Sequence, residues 1–131
     1  MKKLTKNNKG FSLIELIIVI AIMAVLVAII APNLTKYLGS SKTQTDNKNL
    51  DEAKTQIKNC IADATTQDIS VTTWTTKDLT TISTTSTDSF EQLVANALDG
   101  ATLTSKVDST KKMKATITKS GDNYKVTVAF S

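Results

Sequence analysis

The side chain whose placement most demands chemistry is Glu15, which stands between Ile14 and Leu16 at the head of an apolar run. From Leu16 to Ala31 the chain has sixteen residues without a polar side chain. A carboxylate at the centre of a bilayer costs roughly 2.5 kcal/mol or more, and less near the interface. Held in such surroundings it awaits a positive partner. Ser12 precedes it by three residues, the spacing of a capping box, and an acid in a first helical turn suits the helix dipole. Capping alone does not explain an acid set inside an apolar stretch. If the chain is cut after Gly10, the new α-amino group of Phe11 is the nearest cation of the right kind, and a neighbouring copy would supply it.

Other chemistries find little support. There is no histidine and no arginine, and Cys60 is the single cysteine. The commonest general base and metal ligand is therefore missing, no metal site or cofactor is expected, and an internal disulfide is impossible. No nucleophile–base pair, phosphate-binding glycine loop or converging carboxylate pair stands out, so the chain is expected not to be an enzyme. The formal charge of +4 invites a nucleic-acid reading until the lysines are located. Lys2, Lys3, Lys6 and Lys9 all precede Gly10, and beyond it twelve lysines face twelve acids. With no arginine for bidentate contacts, nucleic acid is not expected as a partner.

A lysine-rich opening followed by an apolar run reads as a secretory signal or a membrane anchor, oriented with its positive end inside. Glu15 and the want of a small-x-small cleavage site argue against an ordinary signal peptide. Phe11 to Ala31 is twenty-one residues, enough at ~1.5 Å per residue for the ~30 Å hydrocarbon core.

The stretch Lys9-Gly10-Phe11-Ser12-Leu13-Ile14-Glu15-Leu16, with the apolar run and Pro32, closely resembles the class III signal of type IV prepilins and related pseudopilins. The resemblance covers about residues 1–40. It implies that a prepilin peptidase cuts between Gly10 and Phe11 and N-methylates Phe11. It also implies that Glu15 pairs with the Phe11 amine of an adjacent subunit, and that an assembly ATPase and a polytopic platform membrane protein drive insertion into a filament. Ala24 departs from the pattern, standing where many such pilins have a helix-loosening glycine. Lysine without arginine and the absent disulfide loop lean toward a Gram-positive source.

The elements that must carry this segment follow from periodicity. Pro32 removes a backbone donor and is expected to kink a helix that otherwise continues. Leu50, Ala53, Ile57, Cys60, Ile61 and Ala64 recur on one face, opposite Lys48, Asp51, Glu52, Lys54, Lys58 and Asp63. Phe11 to Ala64 thus reads as one long helix, polar all round between Gly39 and Asn49, and Cys60 reads as a small buried hydrophobe. Thr65 to Thr87 holds eleven threonines in twenty-three residues and reads as a connecting region with extended pieces at 69–75 and 80–84. Ser89-Phe90-Glu91-Gln92 opens a second helix with capping-box spacing, and Asp99-Gly100 closes it. Met113, Ala115 and Ile117, then Tyr124, Val126, Val128 and Phe130, alternate with polar residues around Ser120-Gly121-Asp122-Asn123, which is a hairpin with one buried face. Asp122 and Asn123 alone fall short of the six or more oxygens calcium needs.

The expected architecture is α+β: a long kinked N-terminal helix, hydrophobic in its first half, backing a headpiece of three or four antiparallel strands. Its parts are a leader at 1–10, an apolar helix at 11–31, an amphipathic helix at 32–64 and the headpiece at 65–131. By the resemblance, the chain is the major structural subunit of a type IV pilus supporting adhesion, motility or biofilm formation. It would be membrane-anchored by a single span before assembly and extracellular after it. The competing expectations are a pseudopilin of a type II secretion or DNA-uptake system, and an uncleaved single-pass protein whose head binds a ligand.

Overall fold

The computed structural model describes residues 10–131; the expected leader, except for Gly10, lies outside the described residues. One helix, α1, runs Leu13–Thr66 and continues through Pro32. The chain divides into two compact units, Met1–Leu38 and Gly39–Ser131, and α1 contributes to both. Within the first unit the helix buries nothing, and every residue from Gly10 to Leu38 is exposed.

At its far end α1 overruns the expected stop at Ala64 by one half-turn. The hydroxyls of Thr65 and Thr66 donate back to the carbonyls of Ala62 and Asp63, which offsets their poor helix propensity. Asp68 then takes a left-handed conformation at φ 56°, and the N–H of Ile69 donates to the Ala64 carbonyl at 2.9 Å. That is the six-to-one bond of a Schellman ending, with aspartate where glycine is commoner.

The second unit contains β1 (Trp74–Asp78), a 3-10 turn (Leu79–Thr81), α2 (Ser89–Ala97), β2 (Met113–Ser120) and β3 (Asn123–Phe130). The three strands form an antiparallel sheet in the order β1-β2-β3. The hairpin register sets Met113 opposite Phe130, Ala115 opposite Val128 and Ile117 opposite Val126, so the alternation in the sequence becomes one shared face. Ser120 pairs with Asn123, leaving Gly121-Asp122 as a two-residue turn, and Gly121 at φ 62° supplies the positive dihedral its first position demands.

Two local expectations are corrected. The extended pieces at 69–75 and 80–84 are not strands as drawn: β1 starts only at Trp74, and the backbone turns into a 3-10 helix at Leu79, where Asp78 accepts from Thr80. Within β1 an extra residue bulges between Trp74 and Lys77, and Thr76 sits at φ 58°. A positive φ is costly for a β-branched residue, and the bulge blunts this edge strand. The second correction concerns α2, whose N-cap is Asp88 rather than Ser89. Its carboxylate accepts from the N–H groups of Phe90 and Glu91 at 2.9 and 3.2 Å, while Gln92 donates to the Ser86 carbonyl. Gly100, at φ 76°, stands just past the end of α2 as expected.

The core lies where the stripe on α1 meets the sheet and α2. Ile57, Leu79, Phe90, Val94, Met113 and Ile117 are the largest fully buried side chains, joined by Ala53, Cys60, Ala64, Trp74, Leu98 and Val126. Trp74 and Phe90 meet with ring centroids 5.6 Å apart, inclined at 52°. Cys60 is buried as its position on the stripe implied, and burial pushes its thiol up from the ordinary value. Truncating Ile57 to Ala should cost about 2–5 kcal/mol of headpiece stability, read from denaturant unfolding followed by Trp74 fluorescence.

The polar stretch of α1 contains one buried acid, a placement its neighbours gave no reason to expect. Asp46 is 6% exposed and accepts from the Ser105 hydroxyl at 2.5 Å, the Lys106 N–H at 2.6 Å and the Val107 N–H at 3.3 Å. Ser105 Oγ in turn accepts from the N–H groups of Val107 and Asp108, and a bond from Ser105 N–H to the Lys111 carbonyl closes the loop. Burial would raise the Asp46 pKa, but the three donors outweigh it and hold the group below the ordinary 3.8. Asp78, Asp88 and Asp108 are likewise held below 3.8 by threonine hydroxyls and backbone donors, against the opposing effect of desolvation. Each stabilises the fold fully above its unfolded pKa and ceases to as pH falls through its depressed native one. Headpiece stability should therefore stay level from pH 7 to 5 on account of these four groups and fall below pH 3.8; Asp46→Asn should make that acid-side loss shallower in pH-dependent unfolding.

Candidate functional site

The site resides at the entrance to α1, not in a pocket of the head. Two clefts of the head, about 470 and 490 Å³, are open surfaces beside Asn49, Glu52 and Gln56 and beside Lys48, Asp51 and Thr55, without a nucleophile next to a base. At the other end of the chain, Gly10, Phe11 and Ser12 precede the first helical turn and are not helical. Phe11 is 85% exposed. The Gly10–Phe11 peptide therefore lies in a segment free of the helical hydrogen bonds that would have to break before a protease could bind it extended.

A Cβ added to Gly10 would meet nothing within 4 Å, and the residue has no positive φ. The chain's own fold does not require glycine there.

Glu15 forms part of the cap that its spacing suggested. Its Oε2 accepts from the Ser12 N–H at 2.8 Å, and Leu16 N–H donates to the Ser12 carbonyl at 3.2 Å, so Ser12 and Glu15 form the backward half of a capping box. One internal donor leaves most of the carboxylate's acceptor capacity unused, since two oxygens offer about four lone-pair sites. The helix cap and an external cation are compatible occupants of the same group.

Around this acid stand fifteen large apolar side chains between Phe11 and Ile30, each 42–85% exposed. Burying one such side chain fully is worth ~1.5–3 kcal/mol, so even half of that, summed, is on the order of 10 kcal/mol. That equals the whole net stability of an ordinary domain, which means the segment is built for a non-aqueous neighbour. The helix is long and apolar enough there to cross a membrane. Pro32 lies inside the helix just beyond this run, with the Thr35 hydroxyl donating to its carbonyl at 3.0 Å. Gly10 and Phe11 thus stand immediately before the first turn, which carries Glu15, and Pro32 stands apart from them.

Sequence reasoning missed Asp46 and Asp88, both of which position the fold and not this entrance. Asp46 carries no local signal, since Ser105 to Val107 lie 59 to 61 residues away, whereas Asp88 caps α2 through the nearby Phe90 and Glu91 and also reaches Thr72, 16 residues back.

One comparison with known proteins falls on this same entrance. The family described as the prokaryotic N-terminal methylation motif matches residues 5–31. The type IV major pilin protein PilA of Myxococcus xanthus (strain DK1622) is 41% identical over 58 residues, 44% of this chain and 23% of that protein. Prepilin peptidase-dependent protein A of Clostridium perfringens (strain 13 / Type A) is 48% identical over 46 residues, 34% of this chain and 33% of that one. The type IV major fimbrial protein FimA of Dichelobacter nodosus is 35% identical over 72 residues, 55% of this chain and 45% of the relative. The alignments thus span between about a quarter and a half of the curated relatives' length. No solved structure matches the chain. Lengthening the side chain at residue 10, as in Gly10→Val, should leave Trp74 fluorescence and headpiece unfolding unchanged while abolishing any N-terminal shortening seen by mass spectrometry. A segment that matches the methylation motif, followed by an apolar helix and a small antiparallel α+β head, makes this chain similar to the type IV pilin and fimbrial proteins it matches.

Proposed function

We propose that this chain is the major structural subunit of a type IV pilus, and not an enzyme. It is inserted in the cell membrane by the segment from Phe11 to Ala31 with its lysine-rich leader inside. A prepilin peptidase cuts it between Gly10 and Phe11 and methylates the new Phe11 amine. An assembly ATPase and a platform membrane protein then pass it from lipid into a filament that extends outside the cell, where the headpieces form the surface available for adhesion, motility or biofilm formation.

The observation that carries this reading is Glu15, a carboxylate with acceptor capacity to spare at the head of a helix whose large apolar side chains from Leu13 to Ile30 are all exposed. In lipid the acid is costly, and among packed helices it is costly unless paired. The methylated amine of Phe11 on a neighbouring subunit is the partner that removes that cost. Pairing of one subunit's acid with the next subunit's amine is head-to-tail and does not close on itself, so it propagates an open helical array. Pro32 bends the helix beyond the paired segment.

N-terminal sequencing of the protein from cells tests the processing step: the expected first residue is N-methylated Phe11, and an intact Met1 contradicts the proposal. Glu15→Ala tests the assembly step. Removing one partner of a buried pair costs about 3–5 kcal/mol, so incorporation in competition with wild type should fall by roughly two to four orders of magnitude while cleavage persists. An unchanged filament yield would leave Glu15 as a helix cap only.

A further inference from the structure

Between the apolar run and the packed head, α1 passes through a stretch that nothing holds. Gly39 to Thr45 are exposed on every side, and the division between compact units falls at Leu38 and Gly39. Five of these seven residues, Gly39, Ser40, Ser41, Thr43 and Thr45, are poor helix formers. The hydroxyls of Thr43 and Thr45 donate back to the carbonyls of Gly39 and Ser41 at 3.1 and 3.0 Å, a habit that weakens and bends helices. A helix this short and unsupported is marginal in water on its own.

The very next residue is Asp46, fixed by the Ser105 hydroxyl and the N–H groups of Lys106 and Val107. Weak and strong thus meet at one peptide bond. We propose that Gly39–Thr45 is a fusible link in α1, which opens by itself while the Asp46 latch stops the opening at the border of the head. Segments without buried contacts open at little cost, whereas those in the core open only with the whole fold. Seven residues passing from ~1.5 to ~3.3 Å of rise each lengthen the chain by about 12 Å. That lengthening leaves the core of the head intact. The device belongs to the single chain and does not depend on whether the chain polymerises.

Hydrogen exchange on the full chain in detergent micelles tests this, with Trp74 fluorescence reporting the head. The wild-type amides of Thr43 to Asn49, which donate to the link's carbonyls, should exchange at least tenfold faster than those of Ile57 to Ala64. Gly39→Ala meets no obstacle at its new Cβ and should slow the link about fivefold with Trp74 emission unchanged. Asp46→Asn should let fast exchange spread to Leu50 and Ala53. Should that variant lose the head, seen as red-shifted Trp74 emission, Ser105→Ala removes one donor and keeps the carboxylate, with the same spread expected. Equal protection at 43–49 and 57–64, or no response to Gly39→Ala, overturns the fusible link. Exchange that still stops at Asn49 in a folded Asp46→Asn or Ser105→Ala chain overturns the latch.

Discussion

An acid that must enter an apolar phase is the constraint from which the rest of this molecule follows. Glu15 costs free energy wherever the side chains around it are content, and those side chains, from Phe11 to Ile30, cost free energy wherever Glu15 is content. Water suits one and lipid the other. A pack of like helices with an amine beside each acid suits both, and under the proposed function that is how one segment would serve as membrane anchor and as assembly interface. The Ser12 N–H holds the carboxylate in the first turn at modest expense to its acceptor capacity, so that the group is positioned before any partner arrives.

The head answers a different requirement. It folds on one stripe of α1, with Ala53, Ile57, Cys60 and Ala64 covered by a three-stranded sheet and by α2. That core is small, and hydrogen-bonded acids strengthen its margins: Asp88 caps α2 and binds Thr72, Asp78 fixes the turn after β1, and Asp46 ties the helix to the loop before β2. The near absence of net charge beyond Gly10 suits a surface that has to lie close to copies of itself.

What could be read from residues alone was whatever depends on near neighbours. The Ser12–Glu15 spacing, the 3-4 recurrence from Leu50 to Ala64 and the alternation from Met113 to Phe130 each stand for a contact within a few residues or across one turn, and each took the form its period implied. Long-range partners were not legible. Asp46 looks like any solvated charge until Ser105, 59 residues on, is folded against it, and the bulge at Thr76 exists because Trp74 must reach the core beside Phe90 while Lys77 meets Glu91. At α2, a serine at the expected position lost the cap to the aspartate before it, a shift of one residue that local propensity for the two types does not decide.

The central claim is that the Glu15 carboxylate meets the Phe11 amine of a different copy, and zero-length carbodiimide cross-linking of filaments assembled from mixed nitrogen-14 and nitrogen-15 chains tests it most directly. The account predicts an amide between Phe11 and Glu15 whose peptide pair carries mixed isotopes. Lysine–carboxylate cross-links elsewhere in the same filaments with no Phe11–Glu15 product, or with that product found only within one isotope, would contradict it.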